Sequence, residues 1–161
     1  MTVQQHGLCI VSDRYFSDFP SIRHMSNKHE SRPYYFAVRQ ADGIIWLIPL
    51  SSQVDKYREK IKQDEKKHGE SIFYYIAKVK GEDRVFLIGN MIPAKDTYIK
   101  DPFTVKGIPY IIENKIAIRE IRSKSSRYLT LVRQKKLFPV VDILQIERQL
   151  LNREKNTPYL V

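Results

Sequence analysis

Two apolar hairpins constrain what this chain can fold into more than any other feature. The first is "RPYYFAVRQ" over residues 32–40, a turn at "ADG", then "IIWLIPL" over residues 44–50. The second is "SIFYYIAKV" over residues 71–79, the turn "KGED", then "RVFLIG" over residues 84–89. Both are rich in the aromatic and β-branched side chains that fit a pleated sheet, and both turn through a glycine-containing segment. Pro49, near the end of its strand, donates no ladder hydrogen bond and predicts an edge position or a bulge there. "GLCIV" over residues 7–11 adds a further short strand, and residues 91–105 read as a short strand or loop.

Helices fill the rest. Ser12 is placed to cap a single turn over "DRYFSD". Residues 52–69 read as a charged helix with Val54, Tyr57 and Ile61 on one face and Gly69 at its end. A long amphipathic helix is predicted from about residue 109 to 136, with Ile118, Ile121, Leu129 and Val132 on its buried stripe. Asp142 is a natural cap for the last helix. Residues 20–31 are polar, without period, and read as a loop. With no repeat and no linker, residues 1–161 make one α+β domain.

Composition narrows the function. No apolar run approaches the ~20 residues of a membrane span. The N-terminus shows no basic-then-apolar secretory pattern, and a single cysteine, Cys9, rules out an intrachain disulfide or a cysteine zinc cluster. The expectation is a soluble cytoplasmic protein. The net charge of +10 is uneven: the basic excess is +1 over residues 1–50, +3 over 51–100 and +6 over 101–161. That gradient favours a polyanionic partner, because each Lys or Arg set on a phosphate releases counterions.

No metal is expected, since His24 and His29 are five apart, not the four that share a helical face, and no HExxH motif or aspartate cluster accompanies them. There is no glycine-rich phosphate loop. His6, His24, His29 and His68 are the histidines available for acid–base work, and none has a patterned partner. The stretch "WLIPLSSQVDKY" is more informative. A strand runs into two serines and then into a helix, where hydroxyls and backbone amides can hold an anion. Arg32 begins the paired strand, and Lys56 lies on the first helical turn. One serine is explained by capping; the pattern alone leaves cap and phosphate site both open. On the long helix, Lys115, Arg119 and Arg122 fall on one face, and Lys124 and Arg127 extend it. Residues 113–136 carry eight cations against Glu113 and Glu120 alone, unlike the alternating charge of a salt-bridged surface helix. Paired tyrosines at 34–35 and 74–75 suggest that one of each pair faces outward, where a ring can stack an unpaired base.

Taken together, "RPYYFAVRQADGIIWLIPLSSQVDKY", "FLIGNMIPA" and "ENKIAIREIRSKSSRYLTLVRQ" resemble the type III toxin–antitoxin ribonucleases of the ToxN/AbiQ superfamily, nearest its CptN-like branch. The resemblance covers nearly the whole chain in order. It implies a twisted antiparallel sheet with a barrel-like core similar to the MazF/Kid toxins, peripheral helices, and no cofactor. It further implies a metal-independent endoribonuclease for single-stranded RNA. Its partner would be a small structured RNA antitoxin, cut by the enzyme from a repetitive precursor and held in a closed protein–RNA assembly, with phage defence as one role. On matching motifs the active-site residues would be Ser51, Ser52, Arg32, Lys56 and, through "SDRY", Tyr15. Lys56 matches least closely, because "QVD" separates it from the serines. The competing class is a non-catalytic RNA-binding module, which would have no need of the serine pair with its cations.

Overall fold

A short apolar run, Leu8–Val11, enters the sheet as β1, and Ser12 ends it by capping helix α1 (Asp13–Asp18), its hydroxyl accepting the Arg14 amide at 3.2 Å. The computed structural model describes residues 3–22, 27, 28 and 30–156, the last three by backbone alone. His24 and His29 lie outside the described residues.

The first hairpin forms as β2 (Pro33–Arg39) and β3 (Ile45–Ser51), and the second as β4 (Tyr74–Val79) and β5 (Glu82–Leu87). Helix α2 (Val54–His68) connects them and ends at Gly69, which takes the left-handed φ of 82° that a helix C-terminus favours. Four short strands follow: β6 (Ile92–Ala94), β7 (Ile99–Pro102) and β8 (Thr104–Val105) in the segment predicted as strand or loop, and β9 (Ile108–Pro109), which pairs with β8 just beyond it. The main sheet runs β4-β5-β3-β2-β1-β7, with β6 also paired to β3. All of its pairings are antiparallel.

Strand β3 is the centre of the molecule. Every one of its residues is buried, as a near-continuous apolar run requires when both faces of a strand are covered. Pro49 therefore sits in a central strand, not at an edge. The bulge lies across the hairpin, between Phe36 and Val38, and not at the proline. On its second side, β3 pairs with β6 through residues 45–47 and with β5 through Leu50 and Ser51. Pro49 falls in the gap between those two partners, where an absent N–H interrupts neither ladder.

The expected barrel-like closure does not occur: the sheet is open, with β4 and β7 at its two ends. The Lys80 amide donates to the Tyr110 hydroxyl at 2.9 Å, and the Lys80 ammonium lies 5.9 Å from the Phe103 ring.

Two further helices cover the sheet. Helix α3 (Lys115–Arg133) begins later than the periodicity predicts, because residues 108–109 are spent on β9 and Asn114 supplies the cap, accepting the amides of Ile116 and Ala117. It buries Ala117, Ile121, Ser125, Tyr128 and Val132, one helical stripe. Helix α4 (Ile143–Asn156) starts at the predicted cap, with Asp142 accepting the Gln145 amide at 3.1 Å. The two helices are tied together by Arg133, which donates to both carboxylate oxygens of the buried Glu147 at 2.9 and 3.0 Å. Gln40 joins that network, donating to Glu147 and accepting the Trp46 indole N–H at 2.7 Å.

Candidate active site

The site is assembled where β2 begins and β3 ends. Because the strands are antiparallel with Tyr34 opposite Pro49, Arg32, just before β2, comes level with the end of β3. Its Nη1 donates to the Leu50 carbonyl at 2.7 Å. That bond, made by two residues 18 apart in sequence, brings a half-buried guanidinium beside the serine pair. Guanidinium geometry suits bidentate contact with a phosphate. Tyr34 lies close enough to feel this charge: burial pushes its phenol up, and Arg32 partly offsets that.

The two serines divide their work. Ser51 is buried, and its Oγ accepts the Gln53 amide at 3.1 Å. It does the work of a cap for the turn into α2, since Gln53 at the N-cap position makes no side-chain bond of its own. A hydroxyl that accepts here still has a proton to donate. Ser52 is exposed, and capping has no use for its hydroxyl. Arg32, Ser51 and Ser52 thus stand together at the start of a 15-residue helix, whose first amides favour an anion. Lys56 is exposed on the same helix, with its ammonium 5.3 Å from the centre of the Tyr57 ring rather than bonded to either serine.

Tyr15 is not part of this surface. It is fully buried, packs against Phe16, Phe19 and Tyr98, and donates its hydroxyl to the Pro93 carbonyl at 2.6 Å. Burial drives its phenol well above the ordinary range. Its place in the "SDRY" motif is explained by the core: α1 lies against the sheet and turns this side chain inward. The expectation of one outward tyrosine per pair also fails for Tyr34 and Tyr35, both buried, because the sheet is covered on both faces there. Tyr74 and Tyr75, on the edge strand, are half-buried.

The cations of α3 fall into two groups. Lys115, Arg119 and Arg122 are exposed. Lys124 and Arg127, two and five residues beyond Arg122, are engaged by the segment leading into β4. Lys124 donates to the Ser71 carbonyl at 2.6 Å, and Arg127 is ion-paired with Glu70. The sequence also gave no reason to join His6 to Tyr35, 29 residues away, yet Nδ1 of the imidazole and the phenol oxygen are 2.8 Å apart. No periodic signal relates these two positions. Among the described residues no group of three or more His, Cys, Asp or Glu is placed to hold a metal ion. Among the described residues no helix is long and apolar enough to cross a membrane.

This architecture is the fold of the type III toxin–antitoxin endoribonucleases. Two solved structures define the likeness. AbiQ, a lactococcal anti-phage endoribonuclease of a type III toxin–antitoxin system, matches with a TM-score of 0.65 at 17% identity, over 94% of this chain and 99% of its own. ToxN, from a bacterial antiviral system regulated by a processed non-coding RNA, matches with a TM-score of 0.62 at 16% identity, over 89% of this chain and 96% of its own. No family profile and no curated protein sequence matches the chain.

Proposed function

We propose that this chain is the toxin of a type III toxin–antitoxin system, an endoribonuclease acting on single-stranded RNA, in the CptN-like branch that its sequence resembles. The observation that carries the reading is the Arg32–Leu50 bond, which sets a guanidinium beside Ser51 and Ser52 in a fold otherwise described for RNA-cleaving toxins. The net charge of +10 supports a nucleic-acid substrate.

The reaction needs no protein nucleophile and no metal. The ribose 2′-hydroxyl attacks the adjacent phosphorus, the bond to the 5′-oxygen breaks, and a 2′,3′-cyclic phosphate and a 5′-hydroxyl result. The protein aligns these atoms and stabilises the charge on the phosphorane. In this reading Arg32 contacts the nonbridging oxygens, while Ser51 and Ser52 hold the phosphate by hydrogen bonds. Lys56 is the cation that a bound phosphate would draw in from the first turn of α2. The partner is a small structured RNA, released from a repetitive precursor by the same activity and held in a closed protein–RNA assembly in the cytoplasm, with phage defence as the cellular role. Kinship with the MazF/Kid toxins belongs to the same reading, as an opened form of their core.

The test is cleavage of a labelled single-stranded RNA by the purified chain, with the ends analysed, together with growth of bacteria expressing the chain. Cyclic phosphate ends, and growth arrest relieved by co-expressing the cognate repeat RNA, are the expected results. Tight RNA binding without cleavage would identify a binding module instead.

A further inference from the structure

The turn that delivers Arg32 to the start of β2 has a strained backbone. Lys28 and Glu30, with φ of 50° and 61°, both take the left-handed conformation. Lys80 and Lys106 do so as well, but each is followed by a glycine in a two-residue hairpin turn, where that conformation is ordinary. Residues 27–32 contain no glycine. Non-glycine residues keep such a backbone only where the surroundings over-determine it, and strain of this kind gathers at functional sites.

Here the surroundings are β1, α1 and β7. Asn27, 8% exposed, donates through Nδ2 to the Val11 carbonyl and to the Asp13 carboxylate, both at 2.9 Å. Its own carbonyl accepts the Ser31 amide at 3.2 Å and the Arg32 amide at 3.4 Å. The Lys28 carbonyl accepts the same Ser31 amide at 3.2 Å and the Ser31 hydroxyl at 2.5 Å. Glu30 is half-buried, and its carboxylate bonds on both sides. Oε2 accepts the Asp13 amide at 2.8 Å, and Oε1 accepts the Lys100 ammonium at 2.6 Å. The Asp13 amide is a first-turn donor of α1, with no acceptor inside that helix. Asp13 thus receives Asn27 through its carboxylate and Glu30 through its amide. The "SDRY" segment, whose Tyr15 is buried in the core, reaches the active site through Asp13 instead.

We infer that Asn27 and Glu30 are positioning residues for Arg32: docked on Asp13, they fix the backbone from which its guanidinium reaches the Leu50 carbonyl and the phosphate beside Ser51 and Ser52. This inference rests on the proposed function. Arg32 precedes Pro33, the first residue of β2, and Pro33 has no amide with which to anchor the strand's start. The sheet therefore leaves the Arg32 backbone to the turn, and the turn holds its shape only while Asn27 and Glu30 are bonded. Without them Lys28 and Glu30 relax out of the left-handed region, and the guanidinium shifts with the backbone. A displacement of about 1 Å in a group that aligns the reacting atoms can cost ~10²-fold in rate.

The experiment is a double-mutant cycle, read in single-turnover cleavage of a labelled RNA at saturating enzyme. Melting curves establish that each variant is folded at the assay temperature. Glu30→Ala, and Asn27→Asp, which exchanges a donor for a second carboxylate facing Asp13, are expected to slow cleavage ~10–100-fold. Glu30→Gln keeps an acceptor for the Asp13 amide and should recover most of that loss. The Arg32→Ala chain is itself slowed ~10²–10³-fold. In that background Glu30→Ala should add less than about twofold, because its effect passes through the guanidinium. A loss that multiplies in full on Arg32→Ala would mark a general structural role and overturn the inference. Wild-type cleavage by folded Glu30→Ala would overturn it too. If Asn27→Asp does not fold, the Glu30 variants decide the matter alone. A wild-type chain that does not cleave RNA, or an Arg32→Ala chain that cleaves at the full rate, would instead overturn the functional reading beneath it.

Discussion

The serine pair can be separated by mutation, because the two hydroxyls stand in different physical situations. Ser51 is 8% exposed and its Oγ accepts the Gln53 amide, whereas Ser52 is exposed. Ser51→Ala deletes a cap-type hydrogen bond, a change that typically costs about 1 kcal/mol. For a chain of this size that lowers the melting temperature by roughly 2–4 °C. Ser52→Ala removes no such bond and should melt within about 1 °C of the wild type, as surface substitutions generally do. In the cleavage reaction both lose a donor to the phosphate. One lost contact of that kind costs ~10²–10³ in rate. The assay pairs thermal denaturation of both variants with single-turnover cleavage of a labelled RNA at saturating enzyme. The expected pattern is one variant that is slow and slightly unstable, and another that is slow and as stable as wild type. Wild-type cleavage by Ser52→Ala would refute the assignment of Ser52. An unchanged melting temperature for Ser51→Ala would refute the division of labour.

Three other outcomes are expected. Replacing Arg119 and Arg122 together by glutamine should weaken antitoxin-RNA binding and reduce the slope of log affinity against log salt by ~1.4–1.8, two phosphate contacts; an unchanged slope would mean the face is only solvated. Tyr15→Phe should leave cleavage unaltered and lower stability by about 1 kcal/mol, since it deletes the buried bond to the Pro93 carbonyl; a large loss of cleavage at unchanged stability would return Tyr15 to the active site. Cleavage should persist in excess EDTA with a substrate RNA whose folding does not need divalent ions, because attack by the 2′-hydroxyl requires no metal-bound water; activity lost to EDTA and restored by a divalent ion would overturn that mechanism.

Much of this protein is local physics, and that part was legible in the sequence. The hairpins, the cap at Ser12, the left-handed Gly69, the cap at Asp142 and the apolar stripe of α3 each depend on residues within a turn or two of one another. So does the run from a strand into two serines and a helix. What the chain order could not decide is which faces the tertiary structure covers. The resemblance put Tyr15 in the active site and one of Tyr34 and Tyr35 was expected to face outward, but α1 and the neighbouring strands bury all three. Pro49 read as an edge position or a bulge, and a change of partner strand makes room for it in the centre. Lys124 and Arg127 read as extending the RNA-binding charge of Lys115, Arg119 and Arg122, but the approach to β4 engages them and leaves Arg122 exposed. The long-range contacts of Arg32 with Leu50 and of His6 with Tyr35 span 18 and 29 residues. Hydrogen bonds of that reach carry no periodic signal, because they are set by strand register and sheet curvature rather than by the spacing of side chains along the chain.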